Sequence, residues 1–279
     1  MANESEKGCL YVVGTPIGNL SDMTERAKHI LSDVDFVAAE DTRVSGKLLS
    51  CFDIKNSFVS YHEHNKNVAG KAILERLQNG ETGAIVTDAG IPAISDPGED
   101  LVRLCKENGV KVIPVPGACA FVTALSASGF ASRRFSFEGF LPTDKSERAE
   151  VLEDYKNDPK TVIFYEAPHR LVKTLEIMYE AWGDRKICLA RELTKLNEEI
   201  LVTTFSEALG MYEEKEPRGE YVLIVAGAEK KTGENFFESM TIEEHVEFYE
   251  NQGLRKMDAI KACAKDRGVP KNEVYKHFV

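Results

Sequence analysis

Four short apolar runs in the first 115 residues each end in a Gly/Pro-rich or polar turn, and helical patterns separate them. The runs are "CLYVV" (9–13), "VDFVAA" (34–39), "TGAIVTDAG" (82–90) and "VKVIPV" (110–115). Between them, "TERAKHILS" (24–32) puts Ala27, Ile30 and Leu31 on one side of a helix. "KAILERLQNG" (71–80) and "EDLVRLCKENG" (99–109) repeat the pattern, and "GACAFVTALSASG" (117–129) follows the fourth run. Strands that return through helices pair side by side in one direction, so the alternation predicts a parallel sheet with helices on both faces.

Residues 130–145 ("FASRRFSFEGFLPTDK") break this rhythm. Beyond them "TVIFY" (161–165), "KICLA" (186–190), "EILVTTF" (199–205) and "EYVLIVAG" (220–227) read as strands, with helical patterns at 146–156, 168–182 and 206–215. Two strands in succession without a helix predict a mixed, partly antiparallel sheet. Residues 228–236 read as a linker. Helical patterns at 241–251, 254–267 and 270–278 follow, the last two joined by Gly268-Val269-Pro270 like a helix-turn-helix. The expected class is α/β: a parallel domain over 1–116, a mixed-sheet domain over 117–228 and a basic helical module over 237–279.

Composition narrows the function. No apolar run reaches membrane-spanning length and "MANESEKG" lacks a signal-peptide core, so a cytoplasmic, membrane-free protein is expected. Six cysteines without a C-x-x-C pair suggest neither a disulfide framework nor zinc. The net charge of −11 opposes diffuse nucleic-acid binding. Residues 253–279, however, carry seven Lys/Arg against three Asp/Glu, which leaves about −15 on the rest. Any contact with nucleic acid would therefore be local.

Ligands of a parallel sheet bind outside the carboxyl ends of its strands. "GTPIGN", "AEDTR", "TDAGIPAISDPG" and "PVPGACA" all sit at such ends and can line one crevice. "GTPIGN" has the wrong spacing for a dinucleotide fingerprint, and Pro16 removes a backbone donor where pyrophosphate needs one. No Lys follows for a P-loop. In the third turn Asp96 reads as a helix cap and Asp88 as the better ligand candidate. "YHEHN" brings His62 and His64 together without an obvious third metal ligand. "FYEAPHRL" and "ARELTK" crowd charged side chains at two strand ends of the second block, which suggests a polyanion site.

Taken together, "TPIGNLSDMTERA", "AAEDTRVSGKLL", "SYHEHN", "SDPG", "FYEAPHRL" and "ARELTK" resemble the bacterial 16S rRNA cytidine-2′-O-methyltransferases of the tetrapyrrole methylase superfamily. The likeness runs from about residue 10 to 227. It implies two α/β domains with S-adenosylmethionine in the cleft between them, and a homodimer. The substrate it implies is a cytidine ribose 2′-hydroxyl in the decoding region of the small ribosomal subunit. The implied cofactor wall is Pro16, Gly18, Asp88, Ala89, Gly90, Ile94, Cys119, Ala120, Glu166, Ala167, Glu192, Leu193 and Gly219. Ile91, Ala93 and Cys119 depart from the family's usual Thr, Gly and Ser.

A sulfonium is already a good leaving group, so no metal is required. The hydroxyl proton needs an acceptor, for which Glu40, Asp41, His62 and Glu166 are candidates. Arg43, His64, His169, Arg170, Arg191 and Lys195 would face the RNA, the cations clamping phosphates. Two competing readings are a small-molecule methylase on the same fold and a nucleotide-dependent oxidoreductase with Glu40 on a ribose.

Overall fold

The computed structural model describes residues 8–229, 237 and 240–278. It divides into two compact units, 1–228 and 229–279. The linker expected over 228–236 lies, from residue 230, outside the described residues.

In chain order the first unit begins β1 (Cys9–Val13), α1 (Glu25–Asp33), β2 (Phe36–Ala39), α2 (Thr42–Ser50) and β3 (Phe58–Ser60). It continues α3 (Lys66–Gln78), β4 (Gly83–Val86), α4 (Gly98–Glu107), β5 (Lys111–Val115) and α5 (Ala120–Ser128). The first five strands form one sheet in the order β3-β2-β4-β1-β5, with every pair parallel. Alternate residues of the strands pack opposite helix layers. Ala27 and Leu31 of α1 and Leu49 of α2 pack with Val13, Val37 and Val86 on one face. Ile73 and Leu77 of α3 and Leu101 and Cys105 of α4 pack with Leu10, Phe36 and Ile85 on the other.

The chain continues β6 (Phe135–Phe140), α6 (Lys145–Lys156), β7 (Thr161–Glu166), α7 (Pro168–Trp182), β8 (Lys186–Arg191), β9 (Glu199–Thr204), α8 (Phe205–Glu214) and β10 (Tyr221–Val225). These strands make a second sheet, β6-β7-β10-β8-β9, parallel only between β6 and β7. The mixed sheet is thus as expected. Helix α7 starts where Pro168 fits a first turn that needs no N–H donor, and α8 opens on a capping box between Thr204 and Glu207. One face of the sheet carries α7 and α8 around Phe164, Leu175 and Phe205. The other carries α5, through Ala124 and Leu125.

Three elements have little sequence signal. Helix α2 contains Ser45 and Gly46, poor helix formers, and is held by the Asp41 cap on Arg43 N–H and by burial of Leu49. Strand β3 has three residues at the sheet edge. Strand β6 lies inside the stretch that breaks the rhythm.

The second unit consists of α9 (Ile242–Asn251), α10 (Lys256–Arg267) and α11 (Lys271–Tyr275) around Val246, Ile260, Cys263 and Val274. Gly268, left-handed, ends α10 before Pro270 opens α11. Among the tail's basic residues Arg267 is internal. Its Nη2 donates to the carbonyls of Phe237, Met240 and Thr241 at 3.1, 2.7 and 3.0 Å, and its Nε to His245 Nδ1 at 3.1 Å. Arg267→Ala removes the charged donor from these carbonyls and is expected to destabilise the helical unit by about 1.5–3 kcal/mol. Hydrogen exchange in α9 and α10 reads this directly, and unchanged protection would remove the stapling role.

Candidate active site

Helix α4 follows β4 onto one face of the first sheet, while α1 and α2 follow its neighbours β1 and β2 onto the other. The chain therefore leaves the sheet in opposite directions on either side of β4, which opens crevices at the carboxyl edge. The opening turn closes one of them. Thr15 N–H donates to Gly90 O at 2.8 Å, Gly90 N–H returns to Thr15 O at 3.3 Å, and Thr15 Oγ1 donates to Thr87 O at 3.2 Å. Gly18 then passes so close to the β8–β9 loop that a Cβ there would stand 2.5 Å from Lys195 Cγ. "GTPIGN" is thus a spacer wedged between the two sheets' loops.

Behind it lies a cavity of about 260 Å³. Ten of the residues named from sequence line it: Ala89, Gly90, Ile94, Cys119, Ala120, Glu166, Ala167, Glu192, Leu193 and Lys195. Ile17 and Ile91 join them from the first sheet's loops. Pro16, Gly18 and Asp88 stand next to lining residues without lining it. Gly219 borders a neighbouring cavity, its α-carbon against the Glu192 carboxylate. Burial pushes the Cys119 thiol up, so it is a small neutral wall residue. The backbone is left-handed at Ala93, Ser95, Glu192 and Thr194, all in the two loops that border the cavity. Non-glycine residues in that region carry strain that packing must hold.

Sequence reasoning missed Phe140, Tyr165, Ala190, Glu220, Tyr221 and Val222. Two of these, Tyr221 and Val222, begin β10 and Glu220 directly precedes it; the strand runs antiparallel to β7 and β8 with Tyr221 opposite both Glu166 and Arg191. The start of β10 therefore shares an edge with the ends of its neighbours. Antiparallel pairing of 220–225 is the signal that would have found them.

The proton-acceptor candidates divide clearly. Glu166 is buried, accepting from Thr174 Oγ1 at 2.6 Å and Ala167 N–H at 2.8 Å and pairing with Arg170 Nε at 3.3 Å. Asp41 caps α2 and takes Arg43 side on. Hydrogen bonds from Arg43 hold its carboxyl well below the usual carboxylate range. Glu40 behaves oppositely. Partial burial of its carboxyl group, then the charges of Asp88 and Asp96, push it up, and burial raises Asp88 as well. The register Ser60–Ala39–Val86 across β3, β2 and β4 places Glu40, His62 and Asp88 at adjoining strand ends. His62 Nδ1 is buried there with no hydrogen-bond partner among the described residues. None of Glu40, Asp41 and His62 lines the cavity; they stand at the carboxyl ends of β2 and β3, beside the end of β4. Asp96 is not the cap expected from sequence, since Pro97 holds the N-cap position of α4, but it accepts from Ala93 and Gly98 N–H at 3.0 and 2.7 Å and so braces the turn that leads into the helix.

The cations named for RNA are differently placed. Arg170 donates to Leu141 O at 2.6 Å besides meeting Glu166. Arg191 Nε lies 2.5 Å from Glu199 and Lys195 Nζ 2.9 Å from Glu192. Arg43 projects into solvent beside Asp41, and His64 and His169 are exposed, His64 with its ring centroid 6.0 Å from that of His62. Among the described residues no group of three or more His, Cys, Asp or Glu could hold a metal ion, and no helix is long and apolar enough to cross a membrane.

The sequence pattern of the tetrapyrrole (corrin/porphyrin) methylases matches residues 9–209. A Bacillus subtilis (strain 168) protein named ribosomal RNA small subunit methyltransferase I is 49% identical over 98% of this chain and 94% of its own. The chain belongs to the ribosomal RNA small subunit methyltransferase I family of tetrapyrrole methylases. It is a methyltransferase of a family that uses S-adenosylmethionine. Its namesake from Halalkalibacterium halodurans is 50% identical over 97% of this chain and 94% of its own. Among solved tetrapyrrole methylases, cobalt precorrin-4 methyltransferase superposes with TM-score 0.58 at 19% identity, covering 78% of this chain and 94% of that one. A Thermus thermophilus uroporphyrin-III C-methyltransferase complexed with S-adenosyl homocysteine gives 0.57 at 18%, covering 78% and 97%. At such identities the likeness is one of fold.

Proposed function

We propose that the chain methylates the 2′-hydroxyl of a cytidine ribose in 16S rRNA of the small ribosomal subunit, in its decoding region, from S-adenosylmethionine and as a homodimer. The near-full-length likeness to the Bacillus subtilis methyltransferase carries this reading. The cavity suits the donor. Its inner walls are largely apolar, through Ile17, Ile91 and Ile94, with Glu166, Glu192 and Glu220 around them. Lys195 is the one lining cation among the described residues, and Glu192 holds it. That lining accepts a cationic sulfonium nucleoside and offers little to a pyrophosphate, which also disfavours the oxidoreductase reading.

Bound there, the donor supplies a methyl group with its own leaving group. Two tasks remain for the protein. Ile17, Ala89, Gly90, Cys119 and Ala120 from one sheet, and Ala167, Glu192 and Leu193 from the other, would hold the donor, with Pro16, Gly18, Asp88 and Gly219 behind them. Alignment of oxygen, methyl and sulfur of this kind removes several kcal/mol of barrier. The second task is the hydroxyl proton, which we assign to Glu40, with Asp88 and His62 beside it. Arg43, His64 and His169 are left to meet the RNA directly, while Arg170, Arg191 and Lys195 brace the loops.

Small ribosomal subunits lacking their native modifications, incubated with radiolabelled S-adenosylmethionine, should take up label at one cytidine ribose. The yield should fall steeply with salt, because phosphate contacts release counterions. Absence of label from subunits and free rRNA, while the cofactor still binds, would overturn this reading in favour of a small-molecule acceptor. Light scattering in solution tests the dimer: a monomeric mass discards it.

A further inference from the structure

The stretch Phe135–Phe140, which breaks the rhythm of the sequence, contains a bulge. Along the parallel β6–β7 pair, Phe135 stands opposite Thr161, Phe137 opposite Ile163 and Phe140 opposite Tyr165. Three residues of β6 thus advance against two of β7, and one residue is extra. In a regular strand Gly139 would face Tyr165, and Phe140 would turn to the α7 side. The bulge gives Phe140 the α5 side instead and sends Leu141 into the α7 core. The Phe140 ring then lies edge-on to Tyr165, centroids 5.8 Å apart, lining the cavity while 49% exposed.

The backbone around the ring is held firmly. Gly139 has φ +67° and faces Ser95, whose Oγ would stand 2.9 Å from a Cβ there. Only glycine adopts that conformation at no steric cost. Leu141 is buried, and its carbonyl accepts from Arg170 at 2.6 Å. Tyr155 Oη donates to Glu138 on the opposite side of the strand. Tyr165 is itself packed edge-on against Phe137 at 5.0 Å. A large apolar ring is therefore fixed half in water at the rim of the donor cavity.

We propose that Phe140 is the platform on which the target nucleobase stacks while its ribose is presented to the methyl donor. This rests on the rRNA reading above. A ribose inside a stacked strand is kept from a donor recessed between two loops, so the nucleotide must splay out and lose its own stacking. An aromatic face at the rim returns that stacking whatever the base. The proposal also gives Arg170 a role: it positions Phe140 through the Leu141 carbonyl.

The test compares wild type, Phe140→Ala and Phe140→Trp by steady-state methylation of small subunits and by calorimetry with S-adenosyl homocysteine. Phe140→Ala should lower kcat/KM roughly 5- to 150-fold, the range of one base–aromatic stack, with the S-adenosyl homocysteine affinity within about twofold of wild type. Phe140→Trp should recover most of the loss, and its added fluorescence should be quenched by a single-stranded oligoribonucleotide carrying the target cytidine. An unchanged kcat/KM in Phe140→Ala overturns the proposal. So does a parallel loss of S-adenosyl homocysteine affinity, which would place the ring against the donor, or a change in oligomeric state, which would make it a subunit contact. A wild-type protein that binds the cofactor yet labels no rRNA overturns the functional reading itself, and the platform with it.

Discussion

Replacing Glu40 by glutamine is expected to lower kcat roughly 10²- to 10⁴-fold, the usual worth of a positioned general base, and to leave cofactor affinity unchanged. The amide keeps the side chain's size and removes only its capacity to take a proton. Glu40 is singled out by elimination and by environment. Asp41 is held ionised by Arg43, so it is a poor acceptor, and Glu166 is buried under Thr174, Ala167 and Arg170. Glu40 is raised by partial burial and then by Asp88 and Asp96, which makes its carboxylate a stronger base. The sign of the pH dependence follows. A base must be deprotonated, so kcat should climb as pH rises through a value above the ordinary glutamate range and level off beyond it. Asp88→Asn removes a neighbouring negative charge and should shift that limb to lower pH. A glutamine variant with wild-type kcat, or a limb that Asp88→Asn leaves in place, would take the role from Glu40.

Phe164→Ala should cost about 3–5 kcal/mol of stability, the usual penalty for emptying a buried aromatic site. Phe164 is fully buried in β7, which lies between β6 and β10, and its ring centroid is 6.3 Å from that of Trp182. For a chain of this size each kcal/mol lowers Tm by roughly 2–4 °C. The fluorescence of Trp182, the single tryptophan, reports on the same contact as it melts. A Tm within a degree or two of wild type would mean that Trp182 and Phe205 collapse into the space. Function should suffer as well, because Phe164 lies two residues before Glu166, at the end of the strand that carries the cavity wall.

Much of this architecture was legible because burial leaves a periodic trace. Continuous apolar runs such as "CLYVV" and "YVLIV" mark strands covered on both faces, and helices show where Leu, Ala and Ile recur at helical spacing. The Gly- and Pro-rich turns could be assigned to one sheet edge because parallel strands must all end there. Elements whose stability comes from neighbours left no such trace. Helix α2 depends on a cap and one buried leucine, β3 on its place beside β2, and β6 on a bulge that its spacing alone does not announce.

The charged residues draw the boundary most clearly. From the sequence, Arg170, Arg191 and Lys195 at strand ends suggested a phosphate clamp. In the fold, Arg191 lies directly across the β8–β9 hairpin from Glu199, Arg170 in the first turn of α7 reaches back to Glu166 at the end of β7, and Lys195 lies within a tight loop from Glu192. Opposite charges set that close pair with each other. Residue order alone determined the α/β class, the mixed second sheet and the loops that line the cavity, since each depends on local pattern and on the one-way rule of parallel strands. Tertiary structure alone decided which charges are paired, which carboxylate is raised and that a phenylalanine stands at the cavity rim. Those properties depend on cross-strand register and distance, and a one-residue bulge is enough to turn a side chain to the opposite face.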